Sequence, residues 1–309
     1  KVNRVLNEQG MRVLTVAVKK DAHSDAVYSV ADENEMTIIG FMGFLDPAKA
    51  SAKTAIHSLH QHGVTVKVLT GDNEIVAKKV CNDVGIEVNE YLLGTQIDAL
   101  TDEELKNQVE QIHLFAKLNP MQKSRIIESL QSKGHTVGFM GDGINDAPAL
   151  RTADVGISVD TAADITKDAS SIILLEKSLN VLDHGVVEGR KVFSNMMKYI
   201  KITISSNFGN VFAILAASAF LPFLPMLSIQ LLIQNLVYDM AQLTIPWDNV
   251  DEEELATPVK WRIRGLLKFT IFIGPVSSIF DIITFIVMWN VFSANTIAEQ
   301  ALFQTGWFM

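Results

Sequence analysis

Two patterns in this sequence predict a Rossmann-like α/β domain with a parallel sheet, followed by an α-helical transmembrane domain. Short apolar segments alternate with amphipathic ones between Thr37 and Leu175, and several are apolar almost throughout, as in strands that helices cover on both faces. Long apolar segments follow beyond residue 190. We therefore expect three regions: the end of one domain at 1–36, the α/β domain at 37–190 and the membrane domain at 191–309.

The composition agrees with a chain that is part soluble and part membrane-embedded. Hydrophobic residues make up 48%, and the formal net charge of −9 leaves no basic footprint for nucleic acid. The lone cysteine, Cys81, cannot form an internal disulfide, and its place in an amphipathic segment favours a small core residue over a nucleophile. We expect the soluble part to be cytosolic.

The first 36 residues predict a short helix, a strand at RVLTVAV and a second strand near AVYSV. This is too little chain to bury a core, so we expect it to complete a domain that begins upstream in a longer polypeptide. Arg12 is a candidate to bind a nucleotide phosphate, although an arginine at a strand edge is more often a solvated charge.

Strands and helices alternate in the α/β region. The strand TIIGFMGFL leads to Asp46 and Pro47, which predict an N-cap and first turn, and VTVKVLT leads through Gly71 into a second helix. Thr101 and Glu104 predict a capping box. The strand LFAKL precedes a helix that opens near residue 120, and the strands HTVGFMG, VGISV and SIILL complete the set.

Three apolar segments, 200–221, 226–245 and 266–289, predict membrane spans. Lysine and arginine precede the first and third spans, whereas 290–309 contains neither. By the positive-inside rule, both basic clusters face the cytosol, as does the α/β domain, which predicts a multi-pass membrane protein surrounded by lipid. The helical pattern is unbroken from Leu179 into the first span, and we hypothesise that this helix couples the two domains.

The segment from Gly141 to Asp146 predicts a site for a magnesium ion and a phosphate. It follows an apolar strand, where an α/β sheet keeps its active site, and its glycines let the backbone turn sharply near a ligand. Asp142 and Asp146 supply the hard oxygen ligands that Mg²⁺ prefers. The alternative is an ordinary strand-to-helix turn with Asp146 as N-cap, which explains one carboxylate and neither glycine.

Loops at the ends of four predicted strands carry polar residues, beginning with the loop at Asp46. Because the carboxyl ends of parallel strands meet at one edge of a sheet, we expect Thr70, Lys123, Asp142 and Asp146 to surround a single phosphoryl group. A hydroxyl and backbone N–H groups hold phosphate oxygens, a lysine balances their charge and carboxylates hold the metal. None of these residues is a clear nucleophile.

Three strings, LTGDN, AKLNPMQKSRII and GDGINDAPALRTADVGISV, resemble the phosphorylation domain of P-type ATPases. The resemblance implies a haloacid-dehalogenase-like fold that uses Mg²⁺ and ATP. It implies that Asp142 is the main magnesium ligand, that Asn145 and Asp146 shape its loop, and that Lys123 stabilises phosphoryl charge.

The same resemblance assigns further roles around the phosphoryl group. Thr70, Gly71 and Asp72 would hold that group and the dephosphorylating water, and Asp46 would lie near the nucleotide hinge. The family's Asp-Lys-Thr-Gly-Thr strand, its actuator domain, most of its nucleotide-binding domain and several of its spans do not occur in this sequence. We expect the chain alone neither to hydrolyse ATP nor to fold cleanly, since neighbours of the missing central strand keep unpaired backbone groups.

Polar residues at membrane depth are costly unless they face a cavity or an ion path. Asp239 is the sharpest candidate for an ion-path residue, while Asp281 could pair with another group or line the route. Hydrogen bonding between helices explains the amides equally well. The remaining candidates are Asn207, Asn210, Gln234 and Asn235.

The strings SSNFGNVFAIL, LLIQNLVYDMAQLTIPWDNVD and GPVSSIFDI resemble the bacterial magnesium-transporting P-type ATPases, which import the ion. That resemblance places the positions of Asn210 and Asp239 in the transport region and implies Mg²⁺ as the transported divalent cation. Composition does not separate Mg²⁺ from Ca²⁺, so a pump for calcium or another hard cation is the first alternative. A non-catalytic membrane sensor with a phosphatase-like domain is the second.

Overall fold

The computed structural model describes residues 2–19, 29–30 and 33–309. The chain divides into two compact units, Lys1–Gly185 and Val186–Met309. The strand predicted near AVYSV falls mainly on residues 26–28, which lie outside the described residues. The three regions at 1–36, 37–190 and 191–309 stay a prediction.

The first unit alternates short strands and helices. Its elements are α1 (Val2–Glu8), β1 (Met11–Val18), β2 (Thr37–Leu45), α2 (Ala50–Gln61), β3 (Val68–Leu69), α3 (Glu74–Asp83), β4 (Tyr91–Leu93), α4 (Gly94–Ala99), α5 (Asp102–Gln108), β5 (Leu114–Ala116), α6 (Pro120–Ser132), β6 (Gly138–Met140), α7 (Ala147–Thr152), β7 (Val155–Val159), α8 (Asp164–Asp168) and β8 (Ile172–Leu174). A short 3-10 helix, Ile144–Asp146, leads directly into α7.

The described strands form three sheets. Two are parallel, in the orders β3-β5-β4 and β6-β7-β8, which confirms the predicted parallel pairing. The third is an antiparallel pair of β1 and β2, with a register shift between Val16 and Ala17. The prediction that β2 belongs with the parallel strands is therefore wrong. Its hydrogen bonds go to β1 and most of its residues are exposed, so no helices cover both of its faces.

The expected single sheet is split between β3 and β6, each of which forms an edge strand. Leu69 on β3 nevertheless packs against the apolar cluster that contains Phe139 on β6. The edge strands β3 and β6 therefore contribute side chains to the same apolar cluster, although no backbone ladder joins them.

Helix α6 joins the cores of the two parallel sheets. Ile126 is buried with Phe115 in the core of the first sheet, and the next residue, Ile127, is buried with Phe139 in the core of the second. Consecutive residues of a helix point in directions about 100° apart, so one helix can fill two adjoining cores. This double anchorage fixes α6 relative to both sheets.

Local caps set where the helices begin. The capping box at Thr101 and Glu104 is confirmed, with Glu104 N donating to Thr101 Oγ1 over 3.3 Å. Helix α6 opens at Pro120 as predicted, and Asn119 caps it. The predicted cap at Asp46 is wrong because α2 begins at Ala50, after an extended Lys49.

The burial predicted for Cys81 is confirmed: its side chain is 1% exposed. Burial raises the pKa of its thiol to about 11, so the sulfur stays protonated at neutral pH and is a core atom rather than a nucleophile.

The second unit is helical. Its elements are the greater part of α9 (Leu179–Ser218), then α10 (Ser228–Gln242), α11 (Glu252–Ala256), α12 (Ile263–Asn290) and α13 (Gln300–Phe308). Within the described residues, α9 and α12 are long and apolar enough to cross a membrane. Helix α10 has 15 residues, about 22 Å at 1.5 Å per residue, which is shorter than a ~30 Å hydrocarbon core. The span at 226–245 stays a prediction.

Small residues bring α9 and α12 into close contact. Ser278 Oγ donates to Gly209 O over 2.9 Å, and both residues are buried. A Cβ added at Gly274 would lie 2.8 Å from Phe208 Cδ1 and 3.1 Å from Ser205 O. Such packing, with a hydroxyl bonded across the interface, is typical of helices that associate inside a membrane.

A surface ion cluster in the first unit predicts an acid-dependent stability. Glu110 accepts from Lys133 Nζ at 2.7 Å and lies 2.6 Å from His135 Nε2, and these bonds lower its pKa to about 2. Its stabilising contribution is present above the unfolded pKa near 4.5 and is lost as pH falls toward 2. The unfolding temperature of Glu110→Gln should therefore fall less between pH 6 and pH 3 than that of the unaltered protein. Thermal melts at the two pH values measure the difference.

The exposed Glu87 provides the matched control, since Glu87→Gln removes a carboxylate of the same size elsewhere on the unit. An equal reduction of the acid effect in both variants would contradict the assignment to Glu110.

Candidate active site

Two buried hydroxyls anchor the loop that follows β6. Gly141 N donates to Ile157 O over 3.1 Å, which continues the β6–β7 ladder by one residue. Ser158 Oγ donates to Gly141 O over 3.0 Å and Thr166 Oγ1 donates to Gly143 O over 3.1 Å. Both hydroxyl residues are fully buried, so the loop is fixed from beneath by bonds that water cannot replace.

The glycines of this loop are required by the position of Asp146. A Cβ added at Gly141 would lie 2.6 Å from Asp146 Cβ, and one at Gly143 would lie 3.3 Å from Asp146 Oδ2. The side chain of Asp146 folds back over the loop and accepts from Gly143 N at 3.2 Å. The alternative of a plain N-cap does not hold, because this side chain makes no capping bond to α7.

Lys123 and Asp146 form the best-buried ion pair of the site. Lys123 Nζ lies 2.7 Å from Asp146 Oδ1, and the side chains are only 12% and 14% exposed. The lysine stands in the first turn of α6, and the aspartate in the turn that leads into α7. The structure therefore brings together two of the residues that the sequence predicted to meet.

Asp142 points to a different partner. Its carboxylate pairs with Lys177, and both side chains are about half exposed. Sequence reasoning missed Lys177, although this lysine follows the carboxyl end of β8 and the rule that located the other loops applies to it equally.

The two carboxylates fit part of a magnesium site. Mg²⁺ is commonly bound by one or two carboxylates together with water and substrate phosphate. Within residues 2–19, 29–30 and 33–309, no group of three His, Cys, Asp or Glu side chains could hold a metal. Asp142 and Asp146 supply two such carboxylates, and their role as magnesium ligands stays a prediction.

The Thr70 loop is docked along the segment that leads into α6. Thr70 N donates to Phe115 O over 2.9 Å, Leu118 N donates to Thr70 O over 3.0 Å, and Lys117 N donates to Asp72 O over 3.0 Å. Thr70 Oγ1 accepts from Asp72 N at 3.0 Å, which leaves its hydroxyl proton for another acceptor. The described contacts thus connect Thr70 to Lys123 through the backbone of residues 117–118.

Gly71 lies beside the same segment. A Cβ there would be 3.4 Å from Leu118 O, which is van der Waals contact.

Arg12 binds Asp72 rather than standing free at a strand edge. Its Nη2 lies 2.6 Å from Asp72 Oδ1 and 2.5 Å from Oδ2, and this hydrogen bonding raises the pKa of Arg12. Asp46 adds a weaker attraction to the same guanidinium. Roles for Arg12 and Asp46 in nucleotide binding, and a role for the exposed Asn145 in shaping the metal loop, stay predictions.

The predicted transport residues lie on α9 and α10. Asn207 is exposed and Asn210 half-buried on α9, while Gln234, Asn235 and Asp239 are exposed on α10. Tyr238 donates to Ile202 O over 3.3 Å, so the helices touch near this level. Asp281 accepts from Trp307 Nε1 at 2.8 Å, which favours the pairing alternative for that carboxylate.

Comparison with known proteins finds a family match within each unit. Residues 6–154 match the haloacid dehalogenase-like hydrolase family, and residues 223–309 match the C-terminus of cation transporting ATPases. The first unit is therefore a haloacid-dehalogenase-like hydrolase domain, as the resemblance of the sequence strings implied.

The chain also matches individual proteins that are named for the ion they transport. The magnesium-transporting ATPase, P-type 1, of Salmonella typhimurium is 57% identical over 305 residues, which is 98% of this chain and 34% of the relative. The protein of the same name from Escherichia coli K12 is 56% identical over 309 residues, 100% of this chain and 34% of the relative. A calcium-transporting ATPase of Bacillus subtilis is 32% identical over 241 residues, 77% of this chain and 27% of the relative. The chain belongs to the P-type ATPase family and spans about a third of the length of the relatives it matches first.

The buried ion pair predicts a specific pattern of stability. Lys123→Met leaves the Asp146 carboxylate without its counter-charge and should lower the free energy of unfolding by about 3 kcal/mol. Asp146→Asn in the same protein should recover part of that loss, because the uncompensated charge is gone. Denaturant titration of the single and double variants measures both effects.

Lys79→Met is the matched control, since Lys79 pairs with Asp83 on the open surface of α3 and its loss should cost less than about 1 kcal/mol. Additive losses in the Lys123 and Asp146 double variant would show that the two groups do not interact.

The hydroxyl beneath the loop gives a second test. Thr166→Val keeps the shape of the side chain but leaves Gly143 O without its buried donor, so it should cost about 1–3 kcal/mol of stability. Thr166→Ser keeps the donor and should cost less. Equal losses for the two variants, measured by denaturant titration, would contradict a special role for the hydroxyl.

Proposed function

We propose that this chain is the carboxyl-terminal part of an ATP-driven pump that carries Mg²⁺ across a bacterial inner membrane into the cytosol. Membership of the P-type ATPase family supports ATP hydrolysis through an aspartyl phosphate. The relatives at 56–57% identity are named for magnesium, whereas the calcium-transporting relative stands at 32%. Magnesium is therefore the favoured cargo and calcium the second candidate.

The observation that carries the proposal is the construction of the Gly141–Asp146 loop. Asp146 is folded against a glycine that leaves no room for a side chain, and Lys123 holds its carboxylate from α6. This arrangement leaves the exposed carboxylate of Asp142 at the surface of the loop. A mostly buried charge pair beneath an exposed carboxylate suits a site that binds and releases a charged group.

Each residue of the site then has a definite task. Asp142 and Asp146 would hold Mg²⁺, which when bound neutralises phosphate charge. Lys123 balances the remaining negative charge, and the Thr70 hydroxyl with the backbone of Gly71 and Asp72 orients the phosphoryl oxygens. Lys177 competes for Asp142 and would have to release it when the metal binds.

The split sheet supports a nucleophile supplied from upstream. The sequence contains no Asp-Lys-Thr-Gly-Thr. A strand inserted between the edges of β3 and β6 would pair with both and would place its carboxyl end beside the Thr70 and Asp142 loops. On this proposal the chain alone does not turn over ATP, and steady turnover by the purified chain would contradict it.

The helical unit would form the membrane domain of the pump, with spans near 200–221, 226–245 and 266–289. Helix α9 runs without interruption from Leu179 to Ser218, which supports its use as a mechanical link from the phosphorylation domain to Asn207 and Asn210. Asn235 and Asp239 on α10 would complete the ion path, with Asp239 supplying its negative charge.

The phosphorylation site is tested in the full-length pump. Asp142→Asn should lower ATP hydrolysis at least 100-fold, because the metal loses its exposed carboxylate, and Lys123→Met should lower it at least tenfold. Lys79→Met should not change it. Hydrolysis is measured by phosphate release, and trapping of an acid-stable phosphoprotein reports the intermediate. Full hydrolysis by Asp142→Asn, or no phosphoprotein in the unaltered pump, would overturn the mechanism.

The cargo is tested by transport into membrane vesicles or liposomes that contain the full-length pump. Asp239→Asn should reduce Mg²⁺ uptake at least tenfold, whereas Asp281→Asn should have a smaller effect because Trp307 already occupies that carboxylate. Uptake of Ca²⁺ in preference to Mg²⁺ would assign the pump to calcium.

A further inference from the structure

A partly buried lysine at the amino end of β3 is bound by two backbone carbonyl groups. Lys67 directly precedes β3, and its Nζ donates to Glu110 O over 2.8 Å and to Ile112 O over 2.7 Å. Val68 N donates to His113 O over 2.8 Å, so the same segment also pairs with the backbone of β3. The amine therefore lies at the amino ends of β3 and β5, away from the carboxyl ends that carry the predicted phosphoryl site.

The hydrogen-bond partners of this amine are neutral. Among the residues that the structure describes, no carboxylate side chain forms an ion pair with Lys67. An ammonium group has three N–H donors and a neutral amine has two, so two carbonyl oxygens are enough to satisfy both donors of the neutral form. The neutral amine then keeps its lone pair, which is what makes a lysine nucleophilic.

Partial burial favours the neutral amine further. Moving an ammonium group out of water costs more free energy than moving an uncharged amine. Burial lowers the pKa of Lys67 to about 8, although the negative charge of Glu110 partly opposes this change. At pH 7 about a tenth of such an amine is neutral, which is about 300 times the fraction for an ordinary lysine.

The charged groups around the amine favour an anionic reagent. The carboxylate of Glu110 lies 2.7 Å from Lys133 Nζ and 2.6 Å from His135 Nε2, so both of its oxygens are occupied. His113, whose Nδ1 lies 3.4 Å from Val66 O, adds no negative charge. The lysines of this cluster outnumber its carboxylate, and the local charge therefore attracts a small anion.

We propose that Lys67 is a site of covalent modification, at which small acyl phosphates acylate the amine at neutral pH. The lone pair of Nζ attacks the carbonyl carbon of the acyl group, an N–C bond forms and the C–O bond to phosphate breaks. Phosphate leaves with the electron pair of that bond, and the nitrogen loses one proton to water.

The product is an amide with a single N–H, so one of the two carbonyl groups at residues 110 and 112 loses its donor. The reaction requires neither ATP hydrolysis nor transport, and its outcome is therefore independent of the proposed function.

Acetyl phosphate is the probe. The full-length pump is treated with it in the absence of ATP, and mass spectrometry of its peptides gives the acetylation rate of each lysine. At pH 7, Lys67 should react at least fivefold faster than Lys53, an exposed lysine on α2. Accessibility alone would make Lys53 the faster of the two. At pH 10 the ratio of the two rates should fall at least tenfold, since an ordinary lysine also loses its proton near that pH.

Glu110→Gln gives a second readout. The substitution removes the negative charge that favours the protonated amine, so acetylation of Lys67 at pH 7 should become at least twofold faster. Glu87→Gln, at an exposed position on the same unit, should leave the rate unchanged. A rate for Lys67 at or below that of Lys53 at pH 7, a ratio that does not change with pH, or no effect of Glu110→Gln overturns the inference.

Discussion

The placement of α6 is the constraint on which the first unit depends. Two consecutive isoleucines bury this helix in the cores of both parallel sheets, and its first turn carries the lysine that holds Asp146. Apolar burial sets where the helix lies, and the ion pair then joins its start to the loop after β6. Because the described strands of the two sheets share no ladder, this helix and the packing of Leu69 help to hold the sheets in one unit.

The site combines rigid and exchangeable parts. Buried hydroxyls of Ser158 and Thr166 fix the backbone of the Gly141–Asp146 loop, and steric contact with Asp146 excludes any side chain at Gly141. Asp142 and Lys177, by contrast, are half exposed and bonded only to side chains that can move. A loop with a fixed backbone and an exposed carboxylate that can exchange its partner suits binding and release of an ion without a rearrangement of the fold.

In the helical unit, close packing and hydrogen bonds between helices mark the surfaces that are in contact. Close packing at Gly274 and the bond from Ser278 to Gly209 join α9 to α12, while Thr203 and Tyr238 bond α9 to α10. Two residues with an unsatisfied buried polar atom, Asn195 and Gln242, also make such bonds, to Asp248 O and to Thr203. Hydrogen bonds therefore account for much of the contact between the elements of this unit.

The sequence alone determined the features that local chemistry controls. The capping box at Thr101, the start of α6 at Pro120, the turn at Gly141 and Gly143, and the parallel α/β pattern follow from neighbouring residues. The motif strings, such as LTGDN, indicated the family. Tertiary structure decided the partners that come from distant parts of the chain: Arg12 on Asp72, Lys177 on Asp142, and β2 on β1 instead of in a parallel sheet. No sequence periodicity predicts such pairs. A charged residue has the same place in the hydrophobic pattern whether its side chain faces water or bonds to a residue 60 positions away.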